Sequence, residues 1–138
     1  MIILDTNVLS ELMLHTPNRS VLVWLDRQPR PSIWTTSITL FEIRFGLQSM
    51  PSGKRRTALV QDLEKVLDSM DHRIAVFDAE AAEHASTLMA SRKLQGRPRE
   101  DRDTMIAGIV LAHHAALATR NTSHFDDIAA PLVDPWIA

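Results

Sequence analysis

MIILDTNVLSEL, residues 1–12, runs from the apolar stretch Ile2, Ile3 and Leu4 into Asp5, then Thr6 and Asn7, before apolar residues resume. A short unbroken apolar run closed by polar residues is the pattern of a strand buried on both faces. Asp5 stands where that strand ends. Residues 7–14 then show helical apolar spacing, so the stretch predicts strand, turn and helix in immediate succession.

The same alternation continues along the chain. Pro17 and Asn18 open a second helix with Val21, Leu22, Trp24 and Leu25 apolar, and Pro29 and Pro31 end it. Residues 32–35 (SIWT) predict a strand, and Ser37 is placed as N-cap of a helix reaching about residue 50. A helix over 54–70 carries Leu59, Leu63, Val66 and Leu67, and a strand covers 74–77. Asp78 caps the next helix, whose buried face includes Ala81, Ala85, Leu88 and Met89 and which Gly96 and Pro98 break. The last long helix spans about 101–115, with strands at 116–119 and 132–133. Strands separated by helices predict the α/β class with a mainly parallel sheet, where sites lie beyond the carboxyl ends of the strands.

With 138 residues the chain is expected to form one domain over 1–138. Its 45% hydrophobic and 23% charged residues exclude the disordered and collagen-like classes. The lack of cysteine excludes disulfide frameworks, thiolate metal sites and cysteine nucleophiles, and fits a reducing cytoplasm. No basic leader and no apolar run near the roughly 18 residues of a membrane span is present, so a cytoplasmic location without membrane is expected. At a net charge of −2, any nucleic-acid contact must use local basic groups. Candidates are GKRR at 53–56 and SRKLQGRPREDRD at 91–103, each of which also reads as a solvated helix end.

Two acids fall on helix faces that should be buried. Asp103 heads a stripe formed by Ile106, Ala107, Val110 and Leu111, and Glu42 shares a row with Ile38, Phe45 and Gly46. Bland readings exist for each: Asp103 complements a helix dipole, Thr39 and Glu42 spell a capping box, and Asp5 caps the helix that follows it. Together, however, the three acids occupy junctions that a doubly wound sheet brings to one edge. Drawing an ionised carboxylate from water costs several kcal/mol, and neighbouring carboxylates oppose one another's ionisation. A divalent cation relieves both, and an all-oxygen ligand set selects Mg²⁺ or Mn²⁺ over Zn²⁺. The histidines are scattered, and no HExxH pair is present.

MIILDTNVLSEL, TTSITLFEIRFGL, GRPREDRDTMIAGIVLAHHAALATRNTSHFDDI and the terminal PW, in this order and spacing, resemble the PIN-domain ribonucleases, and among them the VapC/FitB-like toxins of bacterial type II toxin–antitoxin pairs. The resemblance spans nearly the whole chain, with residues 54–94 contributing only a helical pattern. It implies a three-layer α/β/α sandwich around a mainly parallel sheet and an acidic cluster that binds Mg²⁺ or Mn²⁺. It also implies endoribonuclease hydrolysis of RNA phosphodiester bonds to 5′-phosphate and 3′-hydroxyl ends.

By position, Asp5, Glu42 and Asp103 match the three principal family acids. The place of a fourth holds Asn121, with Asp126 beyond Phe125 as a substitute. Thr119 and Asn121 read as turn residues or as auxiliary site groups; Thr6 and Asn7 read as caps or as groups orienting Asp5, capping coming first for Thr6. Arg97, Arg99 and Arg102 are the expected basic rim for RNA, while Trp24, Trp34 and Trp136 read as packing residues before base-stacking ones. The resemblance further implies a cognate antitoxin with a peptide arm across or near the acids, and a homodimer. A phosphoreceiver domain fits less well, since it needs an acid pair after the first strand and a late lysine, where this chain has one acid and Arg120. A non-catalytic PIN-fold RNA-binding or interaction module stays open, because Asn121 stands in place of an acid.

Overall fold

A computed structural model describes residues 1–138. The strands β1 (Ile2–Leu4), β2 (Ile33–Thr36), β3 (Ile74–Ala75), β4 (Ala116–Ala118) and β5 (Leu132–Val133) form one parallel sheet in the order β3-β2-β1-β4-β5. Six helices flank it: α1 (Thr6–Leu12), α2 (Arg19–Asp26), α3 (Ser37–Gln48), α4 (Lys54–Ser69), α5 (Ala79–Leu94) and α6 (Asp101–Ala112).

Successive strand residues face opposite ways, and this alternation builds three layers. Leu4 and Ala118 join Val8, Val21, Ile43 and Leu63 on the α1–α4 side. Ile3 and Leu117 join Ile106, Ile109 and Phe125 on the α5–α6 side. The mainly parallel α/β/α architecture expected from the sequence is therefore present. The chain winds outward from β1 to β3 and then returns to β4 on the other flank of β1, which opens a crevice beyond the carboxyl ends of β1 and β4. Asp5 sits in it, its N–H donating to Ala118 O at 2.9 Å.

Several boundaries differ from the sequence expectation for local reasons. Thr36, not Ser37, caps α3, accepting from Thr39 N–H at 3.0 Å. Ser37 Oγ is thereby left to accept from Phe77 N–H at 3.1 Å, which draws the chain off the ladder and ends β3 at Ala75. The last helix stops at Ala112, three residues early, because His114 turns left-handed (φ 50°) and Ala115 N–H closes onto Val110 O. Met89 is 39% exposed, and the buried row of Ala81, Ala85 and Leu88 continues instead into Arg92, whose exposure is 1%.

The α5–α6 contact depends on a missing side chain. A Cβ on Gly108 meets Ala81 O at 2.5 Å and the Ala85 Cβ at 2.7 Å, so only glycine lets the two helices approach this closely. Gly108→Ala is expected to lower unfolding free energy by about 1–3 kcal/mol. Gly46→Ala, with nothing within 4 Å of the new Cβ, serves as the neutral or mildly stabilising control. Urea denaturation of both variants checks this; equal stability of the Gly108 variant and the wild type contradicts it.

Candidate active site

Asp5 is 3% exposed, yet no basic side chain contacts it. Its charge is met by neutral donors alone: Thr6 N–H to Oδ1 at 2.8 Å, the fully buried Thr119 hydroxyl to Oδ2 at 2.8 Å, and the Asn7 amide to Oδ2 at 3.4 Å. Asp5 is thus the cap of α1 in its own right, and Thr6, read as a cap from the sequence, is the first helical residue. The Thr6 hydroxyl turns across to α3, 3.0 Å from Thr39 Oγ1, and donates to Glu42 Oε1 at 3.2 Å. The capping box read into Thr39 and Glu42 is absent.

Glu42 reaches the crevice from a different face than its row suggested. Phe45 is 60% exposed and Gly46 borders open space, while Thr39, Ile43 and Leu47 form the buried stripe of α3. Glu42 lies at the margin of that stripe, turned toward Asp5 and approached at 4.0 Å by Arg102. Asp103, in the first turn of α6, does head a buried stripe: Ile106, Ala107 and Val110 are all fully buried. Its Oδ2 hydrogen-bonds His124 Nδ1 at 3.0 Å.

Burial raises the Asp5 carboxyl above the usual carboxylate range, with the bonds from Thr119 and Thr6 opposing and Asp103 adding to the rise. Glu42 is raised too, first by desolvation, with the Thr6 bond opposing and Asp5 adding. The three carboxylates thus share one electrostatic neighbourhood. Arg102 approaches Glu42 and the His124 ring hydrogen-bonds Asp103, whereas no basic side chain contacts Asp5. An oxygen-only donor set with a desolvated, unpaired carboxylate at its centre fits Mg²⁺ or Mn²⁺. The tightest grouping of potential metal ligands lies elsewhere: Glu64 and Asp68 on α4 and His72 in the turn after it place their ligand atoms within 4.8 Å of one another. There, however, Arg44 holds Glu64 at 3.0 Å, and His72 bonds Asp68 at 2.6 Å.

The remaining expected residues divide. Thr119 and Asn7 belong to the Asp5 network, and Asn121 N–H donates to Thr119 Oγ1 at 3.0 Å while its side chain stays exposed. Asp126 is held by Arg99 at 3.1 Å, and Arg99 also donates to Ser123 O, so neither faces the acids freely. Arg97 is exposed. Trp24 is buried in the α1–α4 core, Trp34 packs on the opposite side, and Trp136 packs at the edge of the first.

The PIN domain family model matches residues 2–131. This chain belongs to the PIN domain family. It is 42% identical to the VapC ribonuclease Y4jK of Sinorhizobium fredii over 99% of this chain and 98% of that protein. It is 32% identical to the toxin FitB of Neisseria gonorrhoeae over 99% of both. The crystal structure of FitAcB from Neisseria gonorrhoeae superposes with a TM-score of 0.89 at 32% identity, covering 100% of both chains. The resemblance to VapC/FitB-like PIN domains is therefore upheld along the full chain.

Two residues that hold this PIN domain site together had no functional reading in the sequence. His124 was counted among scattered histidines, although its place just before the buried Phe125 in the turn after β4 was a usable signal. Arg92 was grouped with solvated cations. Buried, it grips both oxygens of Asp127 at 2.8 Å and donates to Thr104 Oγ1 at 2.9 Å and to His124 O, fastening the turn that carries His124 to α6. Its guanidinium holds the Asp127 carboxyl below the usual range.

The raised Asp5 carboxyl has a thermodynamic signature. A folded pKa above the unfolded value, about 3.9, stabilises the fold fully below that pH and loses the contribution as pH rises through the folded value. In metal-free protein, Asp5→Asn is therefore expected to gain stability over wild type as pH rises above about 4, until the folded Asp5 carboxyl is ionised. Chemical denaturation across that range tests it. A stability difference independent of pH contradicts the assigned burial.

Proposed function

We propose that this PIN domain is the toxin of a type II toxin–antitoxin pair and acts as a Mg²⁺- or Mn²⁺-dependent endoribonuclease in the cytoplasm. The observation that carries the reading is Asp5: a buried carboxylate that no basic side chain contacts, joined by Glu42 and Asp103 at the crevice beyond the carboxyl ends of β1 and β4. The relatives named as VapC ribonuclease and FitB toxin support the same reading over the full chain. No helix is long and apolar enough to cross a membrane.

Asp5, Glu42 and Asp103 are the residues that would hold the cation. Such an ion supplies Lewis-acid polarisation of the scissile phosphate and a water acidic enough to attack near neutral pH. The protein's part is positioning. Thr119 and Thr6 fix the two Asp5 oxygens from opposite sides, the Thr6 hydroxyl orients Glu42, and His124 orients Asp103. Asn7 bridges Asp5 and Thr119 and accepts from Arg120 N–H, tying α1 to the turn after β4. Without a cation the acids repel RNA phosphates.

Beside Glu42 a groove of about 380 Å³ opens between α1, α3 and α4, lined by Ser10, Leu14, Gly46 and Leu59 with Arg102 at its rim. It supports docking of an antitoxin peptide arm next to the acids. On another face of α3, Phe41 and Phe45 are each 60% exposed with rings 6.4 Å apart, which supports a homodimer.

Purified protein is expected to cleave single-stranded RNA only with Mg²⁺ or Mn²⁺ and to stop with EDTA. Asp5→Asn and Asp103→Asn reduce the rate on the order of 100-fold or more. Thr119→Val, which keeps Asp5 but removes the hydroxyl that orients it, costs about 10–100-fold. Metal-independent RNA binding without cleavage by the wild type favours the non-catalytic module instead.

A further inference from the structure

The arginines nearest the acids are already engaged. Arg92 is buried against Asp127, Arg99 faces Asp126 and Ser123 O, and Arg102 lies 4.0 Å from Glu42. Arg120 differs. It follows Thr119 directly, its side chain is exposed, and it forms neither an ion pair nor a side-chain hydrogen bond. Its guanidinium carbon lies 4.8 Å from the centroid of the Trp136 ring.

Both halves of this pair are anchored. The Trp136 side chain packs against the α1–α4 core, and its backbone N–H donates to Asp134 Oδ1 at 2.9 Å. The Arg120 backbone N–H donates to Asn7 Oδ1 at 3.1 Å, and the same Asn7 side chain reaches Asp5 and Thr119. A guanidinium attracted to an aromatic face is held in one orientation while its in-plane N–H donors stay free. Such donors match the oxygens of a phosphate. The arrangement seats an unpaired guanidinium on the residue directly after Thr119, whose backbone is tied through Asn7 to Asp5.

We propose that Arg120, seated on Trp136, is a phosphate-binding residue of the RNA site on its β4 side. It engages a backbone phosphate neighbouring the scissile one. This rests on the ribonuclease reading above and adds a substrate contact to it. The pair also gives Trp136 a role other than base stacking, since the guanidinium covers the ring face.

The test uses the full chain. Cleavage of a single-stranded RNA by otherwise wild-type enzyme gives kcat and KM. Binding of the same RNA to protein carrying Asp5→Asn, followed by fluorescence anisotropy over a salt series, gives the ionic-strength slope. Arg120→Ala is expected to raise KM about 10-fold with kcat little changed. It also lowers the slope of log K against log[salt] by about 0.7, the value for one phosphate contact on a single strand. Arg120→Lys keeps the slope but recovers only part of the affinity, because an ammonium neither stacks nor forks. Trp136→Leu keeps the slope and weakens binding, provided its melting temperature shows a folded chain.

An Arg120→Ala enzyme with unchanged KM and salt slope overturns the proposal. So does one that loses kcat alone, since Arg120 then serves the acids rather than the phosphate. Wild-type protein that neither cleaves nor binds RNA is a separate outcome, which removes the ribonuclease reading and the proposal with it.

Discussion

The buried bond from the Thr119 hydroxyl to Asp5 Oδ2, 2.8 Å long, joins residues 114 positions apart at the carboxyl ends of the paired strands β1 and β4. It is the constraint on which the rest of the site depends. Asp5 must be buried to end a strand flanked on both sides, and burial disfavours its charge by several kcal/mol unless donors or a cation compensate. The chain supplies donors but no cation. Thr6, Asn7 and Thr119 hold the carboxylate in place, and each is held by a further contact to α3 or to the turn after β4.

The remaining acids are delivered by the winding of the sheet. Because the chain winds outward from β1 to β3 and then crosses to β4 on the other flank of β1, the start of α6 and the first turns of α3 both open onto the same edge. Gly108 contributes from a distance: by letting α6 pack tightly on α5, it fixes the helix whose first turn carries Asp103. Arg92 does the same for the turn after β4, and so for His124. The site is thus assembled by packing on the α5–α6 side as much as by its own side chains.

Much of this was legible in the chain. The strands were visible because parallel strands buried on both faces are continuous apolar runs, and Asp103 stood out because it heads a stripe of Ile106, Ala107 and Val110. Glu42 was singled out on a row that proved partly exposed at Phe45 and Gly46; the acid is at the crevice because α3 presents its margin there. The cap of α3 was displaced by one residue, from Ser37 to Thr36, and of the two caps read for α1, Asp5 and Thr6, the carboxylate holds the place, since hydroxyl and carboxylate acceptors in adjacent positions look alike in sequence. His124, Arg92 and the Arg120–Trp136 pair were opaque for another reason. Each is defined by a partner in a distant element, and residue type alone does not tell a buried guanidinium on Asp127 from a solvated one.

Anomalous scattering from crystals of the full chain grown with Mn²⁺ examines the central claim most directly. A Mn²⁺ peak enclosed by the Asp5, Glu42 and Asp103 carboxylates, and lost in Asp5→Asn crystals, is the result this account predicts. A crevice empty of metal at saturating Mn²⁺, with density only at Glu64, Asp68 and His72 or nowhere, contradicts it.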